Sequence, residues 1–508
     1  MAQRPVGCEK APFYHGILPP SSDDLKNEGD FLVHAIIPNL RTDLQLVLRV
    51  RCKTEVAIVP LTKIVGDRYC LQSELNIPGC LDFATVEDLI KYFHQNPLPN
   101  GQKLVNPIGR PKWLLYHSTI SYNEVDKLGS GELTTTHKST NTLVGNFSDV
   151  YRGTYWKKTE ARPVAVKVCH EFNFRNDKEE EQAMESLQMM LHEAKLMSRY
   201  KHKHVVTLVG IACDHIPIMV LMELCCCSLE DHCRRFPSIS PFELTLYALE
   251  SARGMRYLHK EECVHRDLAT RNCLIASDGR LKIADFGLSK VMKAGSGEIA
   301  IRHVPIRWMA PETLRKKPKY SFQSDVWSFG MFIFEIFNAG EMPWPGSTDF
   351  KDLARRIKTL HMPQFPNSTP TVVKDLVLKR IWILEPEERA NFDEIVKTLT
   401  DFMNAHEAQL PELNDFYLNR IQGVTRKYTL HDKTKLERND EQTEQMNPVV
   451  RSRSTRTKKK RKPASARRRP SASPSIQSGK ISSPDQSDKK RSTKRKKVTT
   501  TQSVSREE

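Results

Sequence analysis

No stretch of 18 apolar residues occurs in the 508-residue chain, so no segment has the length and apolarity of a membrane-crossing helix. The most apolar segment, Val326 to Phe337, is interrupted by Ser328, Gly330 and Glu335, and it reads as a buried helix. The amino terminus, Met1-Ala2-Gln3-Arg4-Pro5, has neither the apolar core of a secretory leader nor a glycine at position 2. Neither secretion nor myristoylation is expected. Paired-cysteine spacing is missing too. The 12 cysteines are scattered, and Cys225, Cys226 and Cys227 are adjacent, which suits neither a disulfide framework nor a chelating pair. Reduced thiols in a cytosolic or nuclear setting are expected.

Acidic residues are scarce at one end only. From Arg451 onward 20 Lys and Arg face 4 Asp and Glu, so +16 of the +17 net charge sits there, leaving about +1 on the first 450 residues. Lys458-Lys459-Lys460-Arg461-Lys462, Arg467-Arg468-Arg469 and Lys494-Arg495-Lys496-Lys497 lie among Ser, Thr and Pro with almost no apolar residue. That composition predicts a disordered basic tail over 433–508. Such a tail suits an anionic membrane surface, at roughly 1 kcal/mol per basic residue near the surface, or nuclear import factors. No aromatic residue interleaves the clusters, so base stacking has no platform and no specific nucleic-acid partner is expected.

The stretch that organises the chain is His265-Arg266-Asp267-Leu268-Ala269-Thr270-Arg271-Asn272, followed by Asp285-Phe286-Gly287 and later Ala310-Pro311-Glu312. Phosphoryl transfer needs a carboxylate that orients the attacking hydroxyl and takes its proton, and it needs oxygen ligands for Mg²⁺. Asp267 suits the first task, and Asn272 with Asp285 suits the second. The three motifs in this order resemble the protein-kinase signature. The resemblance implies ATP and Mg²⁺ as cofactors, with Mn²⁺ as the alternative metal.

Other elements fall into place around that signature. Leu128-Gly129-Ser130-Gly131 resembles the opening of a glycine-rich loop, whose backbone N–H groups would face ATP phosphates. The valine that should follow is Val150, in Phe147-Ser148-Asp149-Val150-Tyr151. The interval contains 14 extra residues around Leu133 to Asn146, rich in Thr, Ser and Asn. An alternative registration takes Gly145 as the second glycine. Val164-Ala165-Val166-Lys167 is an apolar strand ending in the lysine that would pair the α- and β-phosphates. A helix expected over about Lys178 to Arg199 has Ala183, Leu187, Met190, Leu191, Ala194 and Met197 on one face at a 3.6-residue period. Glu193 stands at the rim of that face, where it can reach Lys167. Ile218 to Leu224 reads as a buried strand entering a hinge. By resemblance Met222 is the gatekeeper, and backbone groups of Glu223 and Cys225 would meet the adenine. The implied ATP-binding set is therefore Leu128, Gly129, Gly131, Val150, Lys167, Glu223 and Cys225. The implied catalytic set is Asp267, Arg271, Asn272, Lys167 and Glu193, with Asn272 and Asp285 on the metal. Asp325 resembles the carboxylate that braces the catalytic loop, and Arg389 is expected to pair with Glu312.

Serine/threonine kinases usually carry a lysine two residues after the catalytic aspartate. Here that position is Ala269, and Arg271 stands four after. Val304-Pro305-Ile306-Arg307-Trp308-Met309-Ala310 likewise resembles the tyrosine-kinase substrate platform. No tyrosine lies between Asp285 and Glu312, so regulation without activation-loop tyrosine phosphorylation is expected, with Ser296 or Glu298 as candidate substitutes.

Ahead of the kinase-like region, Tyr14-His15-Gly16, Gly29-Asp30-Phe31-Leu32-Val33 and Leu104-Val105-Asn106-Pro107 resemble a Src homology 2 (SH2) domain. A short helix is expected over Ser21 to Glu28, capped by Ser21 or Ser22. Strands are expected at Leu44 to Val50 and Glu55 to Val59, and an amphipathic helix at Val86 to Phe93. The family follows Phe-Leu-Val with a phosphate-gripping arginine, and here that residue is His34. Two further basic positions align with Pro20 and near Val56. Charge-assisted bonds to phosphate are worth roughly 1.5–3 kcal/mol each, so phosphotyrosine binding is expected to be weak or lost. The alternative expectation is a module that packs on the kinase region as a regulator.

Together these features resemble the Fes/Fer group of non-receptor tyrosine kinases over residues 13 to 405. The resemblance is to a short, nematode-like Fer form, which leads to the expectation that the long membrane-bending region of relatives is absent. The expected fold is α+β, a bilobal protein-kinase fold preceded by an SH2 domain and followed by the tail. The expected segments are an arm at 1–12, the degenerate SH2 domain at 13–107, a linker at 108–121, the kinase domain at 122–405, an extension at 406–432 and the tail at 433–508. The expected function is cytoplasmic transfer of the ATP γ-phosphate to protein tyrosines in signalling. The inner membrane surface and the nucleus stay open as locations. A catalytically weak scaffold is the alternative, and a tail-driven nucleic-acid or membrane adaptor is the more distant one.

Overall fold

The computed structural model describes residues 7–18, 24–75, 80–130, 148–169, 176–291 and 305–406. The expected insertion in the glycine-rich loop, Gly131, Gly145, Ser296, Glu298, Pro20 and the tail over 433–508 lie outside the described residues.

The N-terminal unit is built on Asp30–Ile36 (β1), Gln45–Arg51 (β2), Val56–Ile64 (β3) and Arg68–Leu71 (β4). The helix Val86–Gln95 (α1) and the short strand Asn106–Pro107 (β5) complete it, in the sheet order β4-β3-β2-β1-β5. Alternation sorts the side chains. Phe31 lies opposite Val50, Val33 opposite Leu48 and Ala35 opposite Leu46, and all six are buried. The other face carries Leu32, His34, Val47 and Arg49 by the same register. Thr85 caps α1 by accepting the Asp88 N–H at 3.1 Å. The segment expected as an arm is tied in from Cys8, which is buried with Ala11 in the core.

Of the helix expected over Ser21 to Glu28, only Asp24 is helical in the described part. Residues 25–28 run through a bend and a turn. The Asp30 carboxylate accepts the backbone N–H groups of Lys26 at 3.0 Å and Asn27 at 2.8 Å, an alternative to helical bonding that Asp side chains regularly offer. Ser21 and Ser22 lie outside the described residues.

Next come Leu114–Leu115 (β6), Ile120–Ser130 (β7), Ser148–Lys157 (β8), Glu160–Cys169 (β9), the helix Asp177–Met197 (α2), Leu208–Ala212 (β10) and Met219–Glu223 (β11). The strands form one sheet in the order β6-β10-β11-β9-β8-β7. Asn176 starts α2 by accepting the Glu179 N–H at 2.9 Å, and the predicted apolar face of α2 is buried.

The remaining part begins with Cys225–Ser228 (β12), the helices Leu229–Arg235 (α3) and Pro241–Lys260 (α4), and the strands Cys263–Val264 (β13), Cys273–Ala276 (β14), Leu281–Ile283 (β15) and Lys290–Val291 (β16). It ends with the helices Phe322–Phe337 (α5), Phe350–Lys358 (α6), Thr371–Leu376 (α7) and Phe392–Ala405 (α8). Pro241 at the first helical position and Ser240 before it start α4. Helix α5 is buried from Ser324 to Phe337, as its composition predicted. No helix among the described residues is long and apolar enough to cross a membrane, and all 12 cysteines are free thiols.

The N-terminal unit is joined to the six-stranded sheet and to α2. The Ile17 N–H donates to the Cys213 carbonyl at 2.7 Å, and the Tyr14 hydroxyl donates to the Asp214 carbonyl at 2.9 Å. Gly16 sits at φ +66°, where a Cβ would stand 2.4 Å from the Cys213 oxygen, so only glycine fits this approach. Arg110 pairs with Asp214 at 2.7 Å, both buried. At the start of α2, Glu180 accepts the Leu40 N–H at 2.8 Å and meets the Arg41 guanidinium at 2.9 Å.

Candidate functional site

One row of the sheet register brings together the residues expected to face the nucleotide. Gly129 lies opposite Val150, Val150 opposite Lys167, and Lys167 opposite Val220, across β7, β8, β9 and β11. The ladder runs on to Ser130 opposite Asp149. Leu128 is half-exposed at the edge of this hairpin. Gly131 lies outside the described residues.

Lys167 reaches Glu193 of α2, Nζ to Oε2, at 2.6 Å. Both side chains are largely buried. Burial alone would depress the lysine pKa, but the charges of Glu193 and Asp285 outweigh it and hold the ammonium charged. Asp285, at φ +62°, accepts the Gly287 N–H at 3.2 Å. Burial opposes its ionisation, but Lys167 and that N–H outweigh it, so its carboxyl stays below the usual range. Phe286 is buried beside Tyr200 and His265.

The catalytic loop is held from several sides. Asp325 of α5, fully buried, accepts the N–H groups of His265 at 2.8 Å and Arg266 at 2.9 Å and meets His259 Nε2 at 3.0 Å. The expected bracing role is thus realised in geometry. Asn272 Nδ2 donates to Asp267 Oδ2 at 2.7 Å and to the Asp267 carbonyl at 2.8 Å. With its amide N–H groups spent there, the Asn272 carbonyl oxygen is the atom left for a cation. Arg271 pairs with Asp267 Oδ1 at 2.5 Å and lies over the Trp308 ring, 4.2 Å from its centroid. Arg389 and Glu312 form the expected bidentate pair at 2.7 and 2.9 Å, both buried.

The hinge is partly committed. The Glu223 N–H donates to the Thr207 carbonyl at 3.0 Å. The Glu223 carboxylate accepts the Thr207 N–H at 2.7 Å and pairs with Lys282 at 2.9 Å. Cys225 opens β12 opposite Ala276, and burial pushes its thiol up to about 12.

Among the described residues no group of three or more His, Cys, Asp and Glu is arranged to hold a metal. Asp285 with the Asn272 carbonyl offers two oxygen ligands. That fits Mg²⁺, which is usually held by one or two carboxylates together with substrate phosphates.

Some contributors were not identified from sequence. Glu335 accepts the Thr270 N–H at 3.0 Å, and Ser289 donates to the His265 carbonyl at 3.1 Å. A lone carboxylate inside the apolar run Val326 to Phe337 was the available signal for Glu335, because a buried charge needs a partner. Arg49 Nε donates to His34 Nε2 at 2.9 Å. Burial, then the Arg49 charge, lowers the His34 pKa to about 4, so the imidazole is neutral at cytosolic pH.

Comparison with known proteins agrees with this geometry. The sequence model of a family described as protein tyrosine and serine/threonine kinase matches residues 138–399. Fer-related kinase 1 of Caenorhabditis elegans is 32% identical over 408 residues, covering 77% of this chain and 94% of the relative. Tyrosine-protein kinase Fer of Mus musculus is 32% identical over 398 residues, covering 76% of this chain and 43% of the relative. The chain therefore spans less than half the length of the mouse protein. Tyrosine-protein kinase transforming protein Fps of avian sarcoma virus (strain PRCII) is 29% identical over 416 residues, 69% of its length. With a lysine–glutamate pair closed, a braced aspartate and an arginine four residues beyond it, the chain belongs to the Fes/Fer group of non-receptor tyrosine kinases.

Proposed function

We propose that this chain transfers the γ-phosphoryl group of ATP to tyrosine hydroxyls of protein substrates. The observation that carries the proposal is the closed Lys167–Glu193 pair at 2.6 Å beside a catalytic loop whose Asp267 is gripped by Arg271 and Asn272. In this reading Asp267 orients the tyrosine hydroxyl and receives its proton. Lys167 holds α- and β-phosphates and Glu193 fixes Lys167. Leu128, Gly129, Gly131 and Val150 cover the nucleotide, and Glu223 and Cys225 meet the adenine. Asn272 and Asp285 would hold the divalent cation, which when bound neutralises charge on the phosphates. Arg271, stacked on Trp308, shapes the space for a tyrosine ring. The formed lysine–glutamate pair opposes the scaffold alternative.

Residues 13–107 are proposed to be an SH2 domain with a spent phosphotyrosine pocket, joined by a linker over 108–121 to a kinase domain over 122–405. Neutral His34, leaning on Arg49, supports that reading, because a neutral imidazole supplies no charge-assisted bond to phosphate. The contacts of Arg41 and Leu40 with Glu180 support a regulatory role, since they bear on the helix that carries Glu193. The basic tail is proposed to adhere to anionic surfaces or to nuclear import factors. Radiolabelled phosphate transfer to poly-Glu/Tyr by the wild-type chain and by Asp267→Asn tests the central claim. A rate at least about a hundredfold lower in the variant is expected, and equal, negligible rates would refute it.

A further inference from the structure

We propose that Tyr320 is a positioning residue for the catalytic loop, its ring holding the Arg266 guanidinium. The inference rests on the kinase reading and deepens it. Kinase activation segments are commonly ordered by a phosphate that pairs with arginine. Between Asp285 and Glu312 this chain has no tyrosine to carry one.

The geometry supplies a different partner. The Arg266 guanidinium lies over the Tyr320 ring, 4.4 Å from its centroid. That is within the range of an attractive cation–π contact. Tyr320 is partly buried, so water weakens the contact less than at an open surface. Burial raises the pKa of the tyrosine hydroxyl while Arg266 pulls it down, and the net is upward, which keeps the ring neutral.

Tyr320 also stands where a positioning residue should. It directly precedes Ser321, the residue that caps α5, and the first turn of α5 carries Asp325. Asp325 accepts the backbone N–H of Arg266 at 2.9 Å. The backbone and the side chain of Arg266 are therefore gripped from the same end of one buried helix. Arg266 has φ +70°, a conformation that ordinary side chains adopt only when the surroundings impose it. Its carbonyl leads straight to Asp267. The preceding Lys319 N–H donates to the Glu312 carbonyl at 3.4 Å, and Glu312 is anchored by Arg389. Tyr320 thus links the catalytic loop to the turn Ala310-Pro311-Glu312. No phosphorylation is required for that link.

The test uses the full chain in the poly-Glu/Tyr transfer assay, with Tyr320→Phe, Tyr320→Leu, Arg266→Met and the double variant Arg266→Met/Tyr320→Leu. Tyr320→Phe keeps the ring and should stay within about twofold of wild type. Tyr320→Leu should lose about tenfold in kcat while KM for ATP stays within about twofold. The double variant should lose no more than the worse single one. Tyr320→Met, which keeps bulk without a ring, makes the same comparison if the leucine variant does not fold. A leucine or methionine variant at the wild-type rate overturns the inference. So does a phenylalanine variant as slow as the leucine one, or losses that multiply in the double variant. Absence of transfer by the unsubstituted chain would instead overturn the kinase reading itself, and the inference with it.

Discussion

Glu335→Gln isolates the electrostatic strain beneath the catalytic loop. Glu335 lies inside α5, only 2% exposed, and its carboxylate accepts the Thr270 N–H at 3.0 Å. Burial disfavours the charged form, and the opposing pull of Arg271 and of that N–H does not fully offset it. The pKa is raised from 4.5 to about 7. At about 1.4 kcal/mol for each pH unit, the displacement corresponds to about 3 kcal/mol. The sign follows from proton binding. Between pH 4.5 and 7 the folded chain holds a proton on Glu335 that the unfolded chain has released. The stability this confers is complete below pH 4.5 and is lost as pH rises through 7. Glutamine retains the acceptor for Thr270 and has no charge to desolvate. The stability of Glu335→Gln relative to wild type should therefore grow by about 2–3 kcal/mol between pH 5 and pH 8. In thermal melting of the kinase transition this would read as a relative gain of about 5–10 °C. Wild-type and variant melting temperatures that run parallel across this pH range would refute the reasoning, because they would show a carboxylate that ionises as easily in the fold as in the unfolded chain.

Arg389→Ala should destabilise the fold by about 3–5 kcal/mol in urea unfolding, because it strands the buried Glu312 carboxylate without its bidentate partner; a loss under about 1 kcal/mol would show that water or a neighbour compensates. For His34, an NMR titration should find an imidazole that stays neutral down to about pH 4. Since the unfolded chain takes up that proton near pH 6.5, stability should fall as pH drops from 6.5 towards 4. Phosphotyrosine peptides should show no micromolar binding to the chain, and binding that His34→Ala abolishes would contradict the spent pocket.

Legibility in the sequence followed the range of the interactions. Lys167, Asp267, Asn272 and Asp285 stand in short motifs whose chemistry dictates residue type, and the structure sets Asp285 near Lys167 and Asn272 on Asp267. Glu193 was found by helical periodicity, because a residue on the rim of a buried face can point only to what that face covers. Glu335 was visible as a carboxylate in an apolar helix, but its partner Thr270, 65 residues away, was not. The Arg110–Asp214 pair bridges 104 positions in the chain and left no local trace. The helix expected over 21–28 stops short for the opposite reason. A polar stretch with a serine cap suggested a helix, but past Asp24 one carboxylate, Asp30, took the backbone donors of Lys26 and Asn27.

In the proposed SH2 reading, His34 lies apart from the residues that attach its module to the kinase sheet. The residues that join the N-terminal unit to the kinase sheet are Tyr14, Gly16, Ile17, Leu40, Arg41 and Arg110. None of them is His34 or Arg49. Several of the bonds come from backbone atoms, and the central ion pair comes from the linker. On that proposal, a histidine in place of a phosphate-gripping arginine would leave the attachment intact. The His34 imidazole accepts the Arg49 N–H, so it is held by the neighbouring strand. On this proposal, docking onto α2 and phosphate binding would be carried by separate side chains. Arg41→Ala should accordingly alter kinase activity without altering the response to phosphotyrosine peptides, whereas His34→Ala should alter neither; an effect of His34→Ala on kcat would show that pocket and docking surface are one device.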